Sequence, residues 1–396
     1  MSAFLQEIGE RLDAIRADGL WKEERVIASP QGARVVVDGR PVINLCANNY
    51  LGLANHPALK AAAAAAVEER GWGLASVRFI CGTQDLHEAL EARIASYLGL
   101  EGSILFAAAF DANGALFETL LGPGDAVVSD ALNHASIIDG IRLAKARRFR
   151  FANNDMDELA ARLCEARDGG ARHVMVATDG VFSMDGSFAD LATMRALCDR
   201  HDALLMVDDC HATGFVGAQG RGTPHRAGVR ADIVTGTLGK ALGGALGGFV
   251  AGPRPVVDLL RQRARPYLFS NALPPAVVGA ALAALDLAEG EEGEARRARL
   301  DANARRWRAG LEALGFELLP GSHPIVPVML HDARRAQAMA RGLLAHGVLA
   351  TGFFYPVVPE GRARIRTQMG AGLGEAEIED ALAAFEAAGR EVGVLA

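Results

Sequence analysis

The chain has 396 residues, and its net charge of −7 does not favour nucleic acid as a partner, because proteins that bind nucleic acid usually present a basic face. Half of the residues are hydrophobic (50%) and the mean hydropathy is only +0.14, which is typical of a globular protein with a large core. No segment reaches the roughly 18 uncharged apolar residues of a membrane span, so we expect no membrane association.

The N-terminus carries an apolar stripe from Phe4 to Ile15 that is interrupted by charged residues. This pattern predicts an amphipathic helix rather than a signal peptide. The cysteines are odd in number and include no C-x-x-C pair, which favours buried thiols in a reducing compartment. We therefore expect a cytoplasmic protein.

The length exceeds that of one ordinary domain, which runs to roughly 100 to 200 residues. We expect an N-terminal helical segment with small strands over residues 1–47 and a large ligand-binding domain over 48–285. A smaller α+β domain is predicted over 286–396, because a charged helical stretch, a strand at 324–330 and another helix follow one another there.

Between residues 100 and 250, short apolar runs alternate with helical stretches, which predicts an α/β fold with a mostly parallel central sheet flanked by helices. The runs lie at 103–107, 126–128, 173–177, 203–207, 232–235 and 248–251. Reactive side chains follow four of them, at 130–134, 178–183, 208–211 and 235–240. Since ligands bind at the carboxyl ends of the strands in such sheets, these clusters should converge on one crevice.

Lys240 follows one of these strands in the sequence GTLGK. A phosphate-binding P-loop requires serine or threonine after the lysine, whereas Ala241 stands here, so the P-loop interpretation is disfavoured. The glycines at 243, 244, 247 and 248 predict a close-packed setting rather than a solvated surface lysine. A lysine at the mouth of a crevice is suited to forming an imine with a carbonyl cofactor.

The sequence LLMVDDCH ends an apolar strand with Asp208, Asp209 and His211. A buried carboxylate needs a cationic partner, and a pyridinium nitrogen beside Asp208 provides one, with His211 hydrogen-bonding the phenolic oxygen of the same ring. Asp209 has a structural role in this interpretation. A metal site is not expected, because no second cysteine or histidine stands at ligand spacing.

Two further turns are candidates for contacts with a cofactor. Residues 108–114 join a strand to a helix, whose N-terminal amides suit a phosphate group. His134 follows another strand and either stacks on a flat ring or is a structural histidine.

Together these motifs resemble those of the α-oxoamine synthases, fold-type I pyridoxal-phosphate enzymes that condense an amino acid with an acyl-CoA thioester. The resemblance spans the chain and is carried by NNYLGL from Asn48, NHAS from Asn133, VFSMDG from Val181, VDDCHATG from Val207 and GTLGK from Gly236. Within the family, the segments 76–85, 265–271, 352–359 and 363–368 are similar to the members that use glycine and acetyl-CoA.

The resemblance implies pyridoxal 5'-phosphate as the cofactor, with its aldehyde held as a Schiff base by Lys240. It implies that Asp208 faces the pyridine nitrogen, that His211 faces the phenolic oxygen and that His134 stacks on the ring. The remaining implied cofactor contacts are Ala109, Phe110, Ser183, Thr237, Ser270 and Asn271, and the implied contacts with the substrate carboxylate are Asn48, Ser183 and Arg366. Arg364 is the alternative to Arg366.

The implied reaction condenses glycine with acetyl-CoA to 2-amino-3-ketobutyrate, and its reverse serves threonine breakdown. The resemblance also implies a homodimer with shared active sites, in which Ser270 and Asn271 reach the neighbouring subunit. Two alternatives stay open: synthesis of 8-amino-7-oxononanoate, 5-aminolevulinate or 3-ketosphinganine, or a non-catalytic subunit with the same fold.

Overall fold

The computed structural model describes residues 2–395, which form α-helices, β-strands and one 3-10 turn at Ala218–Gly220. The helices are α1 (Ala3–Ala17), α2 (Pro57–Arg70), α3 (Asp85–Leu98), α4 (Ala109–Leu120), α5 (Ala135–Leu143), α6 (Met156–Asp168), α7 (Leu191–Arg200), α8 (Thr223–Ala227), α9 (Arg254–Arg263), α10 (Arg265–Phe269), α11 (Pro275–Glu289), α12 (Glu291–Leu314), α13 (Ala333–Ala345) and α14 (Glu375–Glu391). The strands are β1 (Arg34–Val37), β2 (Arg40–Asn44), β3 (Gly102–Phe106), β4 (Ala126–Asp130), β5 (Arg147–Phe151), β6 (Val174–Asp179), β7 (Val181–Phe182), β8 (Ser187–Phe188), β9 (Leu204–Asp208), β10 (Ile233–Thr237), β11 (Gly248–Gly252), β12 (Ile325–His331), β13 (Val348–Leu349), β14 (Thr351–Phe353) and β15 (Ala363–Gln368).

The described chain divides into two compact units. The large unit contains residues 48–183 and 187–299, and the small unit contains the residues up to 47, 184–186 and those from 300 onward. The division falls inside α12, later in the chain than the boundary at 286 that the sequence suggested.

A seven-stranded sheet in the order β3-β11-β10-β9-β6-β4-β5 forms the centre of the large unit. Strand β11 pairs antiparallel with both of its neighbours, and the other pairs are parallel, so the predicted α/β fold with a mostly parallel sheet is confirmed. The sequence analysis missed β5 because arginines alternate with phenylalanines in RRFRF and leave no apolar run.

The core of the large unit lies between this sheet and helices that cover it. Phe117 of α4 and Leu260 of α9 are fully buried in the same cluster as Ile104 of β3 and Met206 of β9. Burying such side chains contributes about 1.5 to 3 kcal/mol each, which fixes the sheet and the loops at its edge.

The small unit contains two three-stranded sheets, β1-β2-β13 and β12-β15-β14. Trp307 of α12 is fully buried, and its indole N–H donates to Thr367 Oγ1 of β15 at 2.8 Å. Helix α1 includes the residues of the apolar stripe from Phe4 to Ile15, where the sequence predicted an amphipathic helix. Its apolar side chains Phe4 and Leu5 are exposed. Within residues 2–395, none of the helices combines the length and the apolar character that crossing a bilayer requires.

Candidate active site

Three neighbouring parallel strands of the large unit end with polar residues side by side. Asp208 of β9 stands in register with Asp179 of β6 on one side and with Thr235 of β10 on the other. All three side chains are buried, and no group among residues 2–395 hydrogen-bonds Thr235 Oγ1. This carboxyl edge of the sheet is the crevice that the strand pattern predicts.

The carboxylate of Asp208 is held from two directions. Asn113 Nδ2 of α4 donates to Oδ2 at 2.6 Å, and the backbone N–H of Cys210 donates to Oδ1 at 2.9 Å. A fixed, buried carboxylate in this position is suited to binding a cationic ring nitrogen.

Asp209 points into a different environment. Its carboxylate accepts hydrogen bonds from the hydroxyls of Thr213 and Thr223 and from the backbone N–H of Thr223. Burial raises the pKa of Asp209 to about 6, and the threonine donors oppose that shift. A Cβ added to Gly222 would lie 1.9 Å from Oδ2, so the loop closes tightly over this side chain. These contacts describe a structural residue.

His134 begins helix α5 at the same edge. Its backbone N–H donates to Asp179 Oδ2 at 2.6 Å, and its Nδ1 lies 2.7 Å from Ser136 Oγ. Burial lowers the pKa of His134, Asp208 opposes this shift, and the positive charge of Lys240 adds to it. The imidazole is therefore held neutral and in a fixed orientation.

His211 follows Asp208 by three residues and is buried. The hydroxyl of Tyr50 lies 2.8 Å from His211 Nδ1, and the Tyr50 ring stacks on Phe215 with centroids 4.3 Å apart. Tyr50 thus fixes the orientation of the histidine ring.

Lys240 lies on the loop between β10 and β11. Its positive charge acts on His134 and on Asp179. Burial and the neighbouring Asp208 raise the pKa of Asp179 well above its usual value, and Lys240 opposes this rise. The sheet edge thus brings Lys240, Asp208, His134 and Asp179 within electrostatic range of one another. The predicted grouping of strand-end residues is what the structure shows, whereas their individual roles stay predictions.

The first turn of α4 begins at Ala109, next to Phe110. A Cβ added to Gly248 would lie 2.3 Å from Ala109 N, so only glycine allows β11 to approach these amides. Thr237 also lies at this edge, where its hydroxyl donates to Gly247 O at 3.2 Å and accepts from Gly239 N–H at 2.9 Å.

Other predicted contacts occupy separate places in the large unit. Ser270 and Asn271 follow α10 and line a small cavity with Arg78. The backbone of Asn271 forms an isolated antiparallel β-bridge with that of Val77. Asn48 and Ser183 are both half-buried, and they are the first and last residues of the large unit's first chain segment, 48–183.

Arg364 and Arg366 lie on β15 of the small unit, and both are buried. Arg364 donates to the carboxylate of Asp185 and to Met184 O, whereas Arg366 lies over the ring of Phe353 at 5.0 Å. Arg364 therefore has internal partners that account for its charge.

Known proteins resemble this chain over nearly its whole length. The model of the family described as aminotransferase class I and II matches residues 40–385. The chain belongs to this family. It is 58% identical to the 2-amino-3-ketobutyrate coenzyme A ligase of Escherichia coli K12 over 99% of both chains. The human mitochondrial enzyme of the same name is 53% identical over 97% of this chain and 92% of the relative.

Among solved structures, a lysine-to-alanine variant of serine palmitoyltransferase from S. paucimobilis with a bound PLP–myriocin aldimine is similar to this chain, with a TM-score of 0.92. It is 33% identical over 98% of both chains. The similarity to α-oxoamine synthases that the motifs indicated is confirmed.

No role was expected from the sequence for Asn113, Ser136, Asp179 or Tyr50, although all four lie in or beside the motifs that indicated the site. Asn113 stands four positions after Ala109 in α4, so one helical face carries both residues. That spacing was a usable signal. Among residues 2–395, no group of three or more His, Cys, Asp or Glu side chains is arranged to hold a metal ion.

Proposed function

We propose that the chain is a pyridoxal-phosphate-dependent glycine C-acetyltransferase. It condenses glycine with acetyl-CoA to 2-amino-3-ketobutyrate and CoA, reversibly, and serves threonine breakdown in the reverse direction. The observation that carries the proposal is the 58% identity to the E. coli 2-amino-3-ketobutyrate coenzyme A ligase over 99% of both chains.

The residues at the sheet edge fit pyridoxal phosphate. Asp208 is a buried carboxylate suited to a protonated ring nitrogen, and Thr235 Oγ1 beside it has no hydrogen-bond partner among residues 2–395. Gly248 leaves open the approach to the first amides of α4, which suit the phosphate. When bound, the cofactor supplies a ring that withdraws electrons from the substrate Cα.

The chain's own residues supply the proton transfer and the orientation. Lys240 Nζ takes the proton from the glycine Cα as the general base. Asp208, held by Asn113 and the Cys210 amide, would bind the protonated ring nitrogen of the cofactor. His134, whose pKa is lowered by burial, would stack on the cofactor ring, and His211, oriented by Tyr50, would hydrogen-bond the phenolic oxygen.

We assign the substrate carboxylate to Arg366, with Asn48 and Ser183, on the resemblance of their motifs to those of the family. A guanidinium binds a carboxylate through two parallel hydrogen bonds. The ion pair between Arg364 and Asp185 gives Arg364 a structural role, which supports the assignment of Arg366 to the substrate carboxylate.

We also propose a cytoplasmic homodimer in which Ser270 and Asn271 reach the other subunit's cofactor. Phe79, Ile80 and Phe269 support this, because their side chains are large, apolar and 62%, 69% and 70% exposed. All five cysteines are free thiols, which agrees with a reducing compartment. Analytical ultracentrifugation should give twice the chain mass of 41.7 kDa, and a monomer would contradict the shared site.

Steady-state turnover tests the function. Glycine, alanine and serine are each combined with acetyl-, succinyl-, pimeloyl- and palmitoyl-CoA, and release of the CoA thiol is followed. Glycine with acetyl-CoA should give the highest kcat/KM. A preference for another pair would assign a different α-oxoamine synthase, and no turnover with any pair would favour a non-catalytic subunit.

A further inference from the structure

We propose that Asn113 and Ser136 are positioning residues that fix the proton of His134 on Nε2 and couple this histidine to Asp208. The proposal rests on the cofactor-binding role assigned above. It starts from an unbroken chain of side-chain hydrogen bonds. His134 Nδ1 lies 2.7 Å from Ser136 Oγ, Asn113 Nδ2 lies 2.9 Å from the same Oγ, and Asn113 Nδ2 lies 2.6 Å from Asp208 Oδ2.

The direction of this chain follows from counting donors. The Asn113 amide has two N–H groups, and one points at Ser136 Oγ and the other at Asp208 Oδ2. The reversed amide would set its oxygen against the carboxylate of Asp208, and two acceptors in contact in a buried site repel each other. Asn113 therefore donates twice.

Because Ser136 Oγ accepts from Asn113, its single hydroxyl proton is available for His134 Nδ1. The backbone N–H of Ser136 also donates to His134 Nδ1, at 3.2 Å. A nitrogen that accepts from both groups carries no proton, so the neutral imidazole has its proton on Nε2. The direction in which burial shifts the pKa of His134, downward, agrees with a neutral ring.

Close helix packing sets these distances. A Cβ added to Gly140 of α5 would lie 2.4 Å from Asn113 O of α4, so the two helices touch at the level of the chain of hydrogen bonds. Asn113 and Ser136 are almost completely buried, so water does not compete for their hydrogen bonds. The arrangement keeps His134 neutral. A protonated His134 would repel a ring cation held by Asp208.

The test is the protonation state of His134 in the holoenzyme. Long-range proton–nitrogen correlation spectra of protein labelled with ¹⁵N-histidine separate a protonated from an unprotonated ring nitrogen, and His134→Gln assigns the signal. We expect Nδ1 to be unprotonated and Nε2 to carry the proton. A protonated Nδ1 would overturn the proposal.

Ser136→Ala and Asn113→Leu probe the chain of hydrogen bonds. Ser136→Ala should give a mixture of the two His134 tautomers. Both Ser136→Ala and Asn113→Leu should weaken the affinity for added pyridoxal phosphate, Asn113→Leu roughly tenfold, equivalent to about 1.4 kcal/mol. The double variant should lose less affinity than the two single losses combined, because either change interrupts the same chain.

Asn303→Leu is the matched control. Asn303 is also buried, and its amide donates to Gly370 O and Leu373 O of the small unit. The Asn303→Leu substitution should leave the His134 signals and the affinity for pyridoxal phosphate unchanged. Unchanged tautomers in Ser136→Ala, or fully additive losses, would contradict the proposal. Absence of acetyltransferase turnover with these His134 signals intact would refute the proposed function alone.

Discussion

Two pairs of like charges stand close in the sequence, Asp208 and Asp209 at the end of β9 and Arg364 and Arg366 in β15. In each unit one member has partners that explain it structurally: threonine hydroxyls surround Asp209, and Asp185 binds Arg364. Asp208 is also held, by Asn113 and the Cys210 amide, but it lies at the strand edge on which the charge of Lys240 acts. Residue type and spacing do not separate the two members of each pair, whereas the contacts of Asp209 and of Arg364 give these two residues a structural role.

The largest loss of activity is expected for substitution of Lys240, whose charge acts on this edge of the sheet. Lys240→Ala should abolish turnover, because it removes the amine that we assign to take the Cα proton. Assays of CoA release should detect no activity above background, and exposed Lys60 of α2 offers the matched control, Lys60→Ala, with activity unchanged. Retention of more than a few per cent of activity by Lys240→Ala would refute the assignment.

The aspartate pair gives the second prediction. Asp208→Asn should lose most activity while the fold survives, since a neutral amide no longer keeps the ring nitrogen protonated. Asp209→Asn should retain most activity, because its carboxylate is held by Thr213 and Thr223, to which we assign no role in the reaction. Turnover and circular dichroism of both variants check this, and equal losses of activity would remove the distinction between the two residues.

The arginine pair gives the third prediction. Arg366→Lys should raise the glycine KM roughly tenfold or more if a bidentate contact of about 1.5 to 3 kcal/mol is lost, with a smaller change for acetyl-CoA. Arg364→Lys should lower Tm instead, since it weakens the buried pair with Asp185. If Arg364→Lys alone impaired glycine kinetics, the assignment would be wrong by two residues.

The smallest effect concerns pH. Burial raises the pKa of Asp209 to about 6 in the folded protein, above its ordinary value of 3.8. The folded state therefore holds this proton more tightly than the unfolded state does, and the resulting stability is present below pH 3.8 and is lost as the pH rises through about 6. One pKa unit corresponds to about 1.4 kcal/mol.

The free energy of unfolding of the wild-type protein, relative to that of Asp209→Asn, should thus fall between pH 4 and pH 6. Denaturant titrations across this range measure the difference. Asp157→Asn, at an exposed carboxylate of α6, is the control. A difference that is flat with pH would show that Asp209 is ionised as easily in the folded as in the unfolded chain.

The sequence located the strand-end residues because the carboxyl ends of neighbouring parallel strands meet at one edge of the sheet. Asp208 and Lys240 needed only the positions of their strands. Asn113 and Ser136 were missed as a pair because their contact depends on how closely α4 and α5 pack, which Gly140 determines and which no local pattern encodes. Strand β5 was missed because side chains that face solvent remove the hydrophobic signal.

The reversed direction of β11 has a consequence for the lysine. Gly248, its first residue, pairs with Thr237 at the end of β10 and with Phe106 of β3. The loop that carries Lys240 is thus tied at both ends, and Leu238 N–H also donates to Gly247 O at 3.0 Å. Much of the conformational entropy of this loop is therefore lost when the protein folds, and less remains to be lost when a ligand reaches the amine.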